Sequence, residues 1–148
     1  MEIIALILSA VSIIVAIACG VIAYIQNMKI NNINMKSKYY DQIFDTYLIE
    51  KIPQARKYIR FGNESLTDTE QLCEVLASLL QSSLYFKYAN IDFYKKLKDS
   101  IQEIENYVSE CGNKKFEPEE QGDVFREVHN KLEALYKLIN DSYVGIKK

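Results

Sequence analysis

The sequence predicts an all-α protein: one N-terminal transmembrane helix followed by a cytoplasmic antiparallel helical bundle. Three observations lead there. Residues 3–25, IIALILSAVSIIVAIACGVIAYI, run for 23 residues without a charge. Gly and Pro are scarce, five and two in 148 residues. Beyond residue 39 the apolar residues recur at helical spacing, and no stretch alternates apolar and polar as a half-buried strand would.

The apolar run comes first. As an α-helix rising ~1.5 Å per residue it spans roughly 34 Å, slightly more than the ~30 Å hydrocarbon core of a bilayer. A secretory signal would carry a basic n-region and a shorter apolar core. Here only Met1 and the acidic Glu2 precede the run, and Ala16-Ile17-Ala18 supplies the one local match to a cleavage site. A soluble core helix would have to be apolar all round and unusually long. Lys29, Lys36 and Lys38 follow the span, and no Lys or Arg precedes it. The positive-inside rule therefore places the N-terminus outside and the C-terminal part in the cytoplasm, with the inner (plasma) membrane as the location. Tyr24 falls at the inner interface, where an amphipathic ring is favoured.

Residues 26–38, QNMKINNINMKSK, form a juxtamembrane stalk or linker; their Asn content weakens helix propensity and leaves both forms open. The cytoplasmic domain is expected over 39–148. Tyr40, Ile43, Phe44, Tyr47 and Leu48 open a helix that Pro53 should kink or break. Pro53 would then start a short piece, PQARKYIRF, ending at Gly62. Thr67-Asp68-Thr69-Glu70 matches a capping box, so a helix is expected from there to about Ala89. Asn90-Ile91-Asp92 reads as a re-capping turn. The next helix carries Tyr94, Leu97, Ile101, Ile104 and Val108 on one seam and ends at Gly112-Asn113. After the loop Lys114–Glu117, Pro118 with Glu119 and Glu120 marks another helix start. Phe125, Val128, Leu132, Leu135 and Ile139 form its seam, and the terminal SYVGIKK is expected to fray.

Charge narrows the function classes. The chain has 18 basic and 20 acidic residues. Setting aside Glu2, the part beyond the span is near −1, against the basic excess of a dedicated nucleic-acid binder. Cys19, Cys73 and Cys111 show no C-x-x-C spacing and read as structural thiols in a reducing compartment. His129 is the only histidine, with no nucleophile motif around it and no Glu-x-x-His pair. Glu127 and His129, two apart, fall on different faces of a helix. An enzyme is not expected, nor a metal or other cofactor.

Two groups of residues could carry function. Ala5, Ser9, Ser12, Ala16, Cys19, Gly20 and Ala23 form a stripe of small residues along the span, where helix backbones can approach one another. This predicts a homo-oligomer packed through Ala5, Ser9, Ser12, Ala16, Gly20 and Ala23. With no ionisable residue in the span, a passive anchor is favoured over a pore. Arg56, Lys57 and Arg60, interleaved with Tyr58 and Phe61, are the densest basic and aromatic cluster, and Lys87 lies between Tyr85 and Tyr88. Arginine pairs bidentately with phosphate, so Arg56, Lys57, Arg60 and Lys87 are candidate ligands for a nucleotide or an anionic headgroup. The structural alternative is that the cations snorkel over a helix end while the tyrosines pack inside.

In layout, a span at 3–25 with a helical region below it, the chain resembles the small bacterial membrane effectors of anti-phage defence. The cyclic-oligoadenylate-responsive membrane effectors of CRISPR systems are an example. The resemblance implies an antiviral signalling role with a nucleotide second messenger as ligand, and it carries over no binding residues. The expected partners are the lipid bilayer, further copies of the chain, and a protein partner or small signalling ligand. The alternative is a structural or scaffolding subunit of a larger membrane complex that binds no small molecule.

Overall fold

The computed structural model describes residues 2–144 and is mostly helical, 84%, with few strands. It divides into two compact units, Met1–Lys36 and Ser37–Lys148. The first is an uninterrupted stretch of helix α1 (Glu2–Ile43), so residues 26–38 are helical and the question left open by their Asn content is settled. This helix is long and apolar enough to cross a membrane, and the apolar side chains described along it are uncovered.

The second unit starts with the last turns of α1. These run into a π-helical segment (Phe44–Lys51) and then α2 (Ile52–Arg56). The expected break at Pro53 does not occur: Ile52 keeps right-handed helical angles, φ −65° and ψ −46°. The widened register explains this. The Ile52 N–H bonds to the Tyr47 carbonyl five residues back, and Pro53 occupies the first turn of α2, where a missing N–H is tolerated. Leu48 O is thereby left without its two natural donors, since Ile52 is used by Tyr47 and Pro53 has no N–H. The Tyr136 hydroxyl fills the gap, donating to Leu48 O at 2.7 Å.

Two three-residue strands follow, which corrects the all-α expectation. β1 (Arg60–Gly62) and β2 (Ser65–Thr67) pair antiparallel, with Phe61 opposite Leu66. The two-residue turn between them has positive φ at Asn63 and Glu64, 51° and 69°, as a type I′ hairpin requires. The helix expected to end at Gly62 stops instead at Arg56. A Cβ on Gly62 would sit 3.2 Å from Thr67 Cγ2, so this close strand approach favours glycine. The capping box is also corrected. Thr67 belongs to β2 and its hydroxyl donates to Arg60 O, while the residue preceding α3 (Glu70–Ser82) is Thr69, whose side chain makes no cap.

Helix α3 ends at Ser82 rather than near Ala89. Buried Ser83 turns its hydroxyl back onto Leu79 O at 2.7 Å, and a turn separates α3 from α4 (Phe86–Ala89). Asn90 then caps α5 (Ile91–Gly112) by accepting from Phe93 N at 3.2 Å, as the re-capping turn predicts. At the start of α6 (Pro118–Val144) the Glu120 carboxylate reaches back to Glu117 N at 3.0 Å. Ser142–Val144 are helical, whereas 145–148, the rest of the segment expected to fray, lie outside the described residues.

α5 and α6 form the most extensive pairing and run antiparallel: Glu103 meets Lys131, and Asn90 and Phe93 line one cavity with Leu138 and Ser142. Leu97, Ile101, Ile104 and Val108 face Val128, Leu132, Leu135 and Ile139 in a continuous core. Each seam begins one residue earlier than its spacing suggests. Phe93 and Val124 are buried, while Tyr94 is half-buried and Phe125 is largely exposed. α3 closes the core through Leu72, Leu76 and Leu79. At the other end Tyr40 packs between Phe86 and Phe93, with ring centroids 4.4 and 5.1 Å away, and Tyr39 stacks on Tyr85 at 4.1 Å. Burial pushes the Tyr40 hydroxyl up to about 12, despite nearby Ser142 and Asn90, and it makes no hydrogen bond of normal geometry.

Candidate functional site

The two groups of residues marked in the sequence fall in different units. In the span, Ser12 donates its hydroxyl to Leu8 O at 2.8 Å, so this polar group is satisfied within its own helix and needs no partner across a contact. Nothing lies within 4 Å of a Cβ built on Gly20, which leaves an open notch in the helix surface. Ser9, Ser12, Ala16, Cys19, Gly20 and Ala23 are exposed. The side chain of Ala5 lies outside the described residues. The spacing of Ala5, Ser9, Ser12, Ala16, Cys19 and Ala23 continues without a break through Gln26, Ile30 and Ile33, a sustained heptad pattern in which the stripe extends past the apolar run.

The basic cluster is divided by the second unit into three surroundings. Lys57 and Arg60 line a shallow hollow of about 600 Å³ together with Tyr58, Asp68, Glu70, Gln71 and Glu74. Two cations there meet three carboxylates. Arg60 pairs with Asp68 at 2.5 Å, with Thr67 Oγ1 also 3.4 Å from that carboxylate, so the hollow offers an anion little net attraction.

Arg56, one turn before Arg60, enters a different cavity. This cleft, about 350 Å³, lies between α2 and α6 and is lined by Ile52, Pro53, Arg56, His129, Leu132, Glu133 and Tyr136. Arg56 Nη1 is 3.1 Å from His129 Nδ1. An arginine can only donate, so in a hydrogen bond between them Nδ1 is the acceptor. Tyr136 closes one side. Its hydroxyl is held by Leu48 O, burial raises its pKa, and the charge of Arg56 lowers it, the smaller of the two effects.

Lys87, on α4, is exposed beside Tyr88 and lines neither cavity. The structure thus brings Lys57 and Arg60 together, sets Arg56 with His129, and leaves Lys87 apart. His129 is 73 residues from Arg56 in the chain, and no sequence pattern marks the pair.

The remaining chemistry-bearing groups lie outside these cavities. Lys131, largely buried, pairs with Glu103 of α5 at 2.5 Å and with Glu127 of its own helix at 3.5 Å. Its hydrogen bond to Glu103 raises its pKa. Burial likewise pushes up the thiols of Cys73 and Cys111, which weakens both as nucleophiles. Among the described residues no group of three or more His, Cys, Asp or Glu side chains could hold a metal ion. No protein-family model matches the chain, and no curated protein or solved structure matches it either.

Proposed function

We propose that this chain is a non-enzymatic single-pass membrane protein of the inner (plasma) membrane. Its span self-associates, and its cytoplasmic helical bundle binds a partner or a small signalling ligand. The observation that carries the reading is the form of α1: a long helix, charge-free over residues 3–25, with Ala5, Ser9, Ser12, Ala16, Cys19 and Ala23 on one seam and a notch at Gly20 beside it. In a bilayer, close backbone approach along such a seam supplies packing that lipid cannot match. The heptad continuation through Ile30 and Ile33 gives the same contact an apolar seam in water, where an isolated Asn-rich helix gains little stability of its own. Lys29, Lys36 and Lys38 support a cytoplasmic second unit. A role as an effector in antiviral defence rests on the resemblance of layout.

Cys19 lies on this seam and supplies the test. In membranes holding a Cys73→Ser, Cys111→Ser chain, mild oxidation is expected to link Cys19 to Cys19 and yield a dimer. Replacing the notch residue, Gly20→Leu, is expected to suppress that product. A chain that stays monomeric in membranes and by light scattering in detergent would overturn the oligomer.

The scaffold reading is favoured by one surface. Leu84, Tyr88 and Ile91 are exposed around α4, Tyr88 at 87%. Co-purification of another membrane protein that is lost with Tyr88→Glu, with no small-molecule response, would select it.

A further inference from the structure

We infer that the cleft between α2 and α6 binds a small organic monocarboxylate, with its apolar body against Ile52, Pro53 and Leu132 and its carboxylate on Arg56. This rests on the ligand-binding reading above and gives that ligand a chemical class. Four observations carry it.

Arg56 is a cation without an anion. Among the described residues, Arg60 pairs with Asp68 and Arg126 with Asp123, whereas Arg56 has no carboxylate within ion-pair distance. Its polar partner is a ring nitrogen of His129. The guanidinium fork is therefore available for bidentate pairing, which a carboxylate matches in geometry.

The remaining wall is apolar. Pro53, half-buried, lines it with Ile52 and Leu132, core residues that expose little surface of their own. Tyr136 presents its ring because Leu48 O already holds its hydroxyl. A cavity of about 350 Å³ is near the lower end for small-molecule sites.

The charge on the rim limits the ligand. Glu133 lines the same cleft and offsets part of the field of Arg56, so a dianionic phosphate or a nucleotide is penalised more than a ligand with a single negative charge. His129 lines the same polar end.

The floor of the cleft also touches the register of the helix above it. Pro53 creates the orphaned carbonyl of Leu48, and Tyr136 satisfies it. Both residues line the cleft, so it is built directly on the π-helical segment Phe44–Lys51.

The test uses the full-length protein in detergent micelles, with 4-fluorobenzoate as the probe, read by fluorine NMR. Saturable binding is expected, at least about tenfold weaker with Arg56→Gln and unchanged with Arg60→Gln, whose side chain lines the other hollow. Inorganic phosphate should not compete. The near-ultraviolet circular dichroism of the tyrosines must match between variants, and Arg56→Lys, which keeps the charge but loses the fork, is expected to fall between wild type and Arg56→Gln. Absence of saturable binding, or binding equally weakened by Arg60→Gln, would overturn the inference. Binding of a cyclic oligoadenylate without binding of 4-fluorobenzoate would leave the ligand-binding reading standing and remove this one. Dimerisation through Cys19 is independent of either outcome.

Discussion

The α5–α6 pair and the segment from Phe44 to Thr67 solve the same problem of closing a core in opposite ways. The pair is regular. Its apolar residues recur at helical spacing, Asn90 and Glu120 satisfy helix starts, and Lys131 ties the two helices together. The segment is irregular. It strings together a π-helical stretch, a proline, and a hairpin with two consecutive residues at positive φ. The π register orphans a backbone carbonyl that a distant side chain, Tyr136, then satisfies, and the hairpin holds backbone strain of its own. The cavities that hold Arg56, Lys57 and Arg60 form where this segment meets α6 or α3, while the pair alone lines the hollows around Lys131 and Asn90. Regular packing supplies stability, and the irregular connection supplies shape.

If this contrast holds, truncation should be felt most in the pair. Leu135 is fully buried on α6, and Leu135→Ala is expected to destabilise by about 2–5 kcal/mol, as lost transfer energy and an unfilled cavity combine. Leu66, also buried but carried on a three-residue strand at the margin of the core, should lose less on Leu66→Ala because a short hairpin can collapse into the space. Urea unfolding of the full chain in micelles, followed by tyrosine fluorescence, measures both. Ten of the eleven tyrosines lie beyond residue 36, so the signal reports the second unit. Equal losses at the two sites would break the contrast.

The second prediction tests whether the irregularity is offset where the structure places the compensation. Tyr136→Phe keeps the ring and deletes the donor to Leu48 O, leaving a carbonyl with no partner from Ile52 or Pro53. A loss of about 1–3 kcal/mol is expected. In Pro53→Ala an N–H returns at the position that could bond Leu48 O, so Tyr136→Phe in that background should cost less. A double-mutant cycle with no coupling between positions 53 and 136 would show that Tyr136 acts only by packing.

The same contrast explains what was legible in the sequence. Periodic patterns carried α5 and α6, because burial of one face is written into every third or fourth residue. Even there each seam was offset by one. Phe93 and Tyr94 both lie a helical step from Leu97, and it is Phe93 that packs against Tyr40 and Phe86, contacts far from it in the helix pattern. The hairpin was illegible because its strands hold three residues each and its turn is Asn-Glu rather than the Asn-Gly that announces type I′. The π register left no local mark, since the donor that permits it lies 88 residues away in Tyr136. The candidate cluster was read as one group because Arg56 and Arg60 are one turn apart in a helix. The chain leaves helical geometry between them and sends them to separate cavities.

The smallest expected effect probes the strain at the hairpin itself. Asn63 tolerates a left-handed conformation, whereas Glu64 at φ 69° holds its Cβ against the backbone. The native Glu64 side chain offers only a 3.5 Å ion pair with Lys115, and both groups are mostly exposed, so its contribution is near zero. The bond from Phe116 N to Glu64 O uses the main chain and survives substitution. Glu64→Gly should therefore relieve more strain than it adds in unfolded-chain entropy, a net gain of about 0.5 kcal/mol seen as a higher urea midpoint with unchanged slope. Glu64→Ala, which keeps the Cβ and loses only the ion pair, should leave stability unchanged. If alanine raised the midpoint as much as glycine, the charge rather than the backbone would be the source of strain, and the irregular segment would be less costly to the fold than its geometry implies.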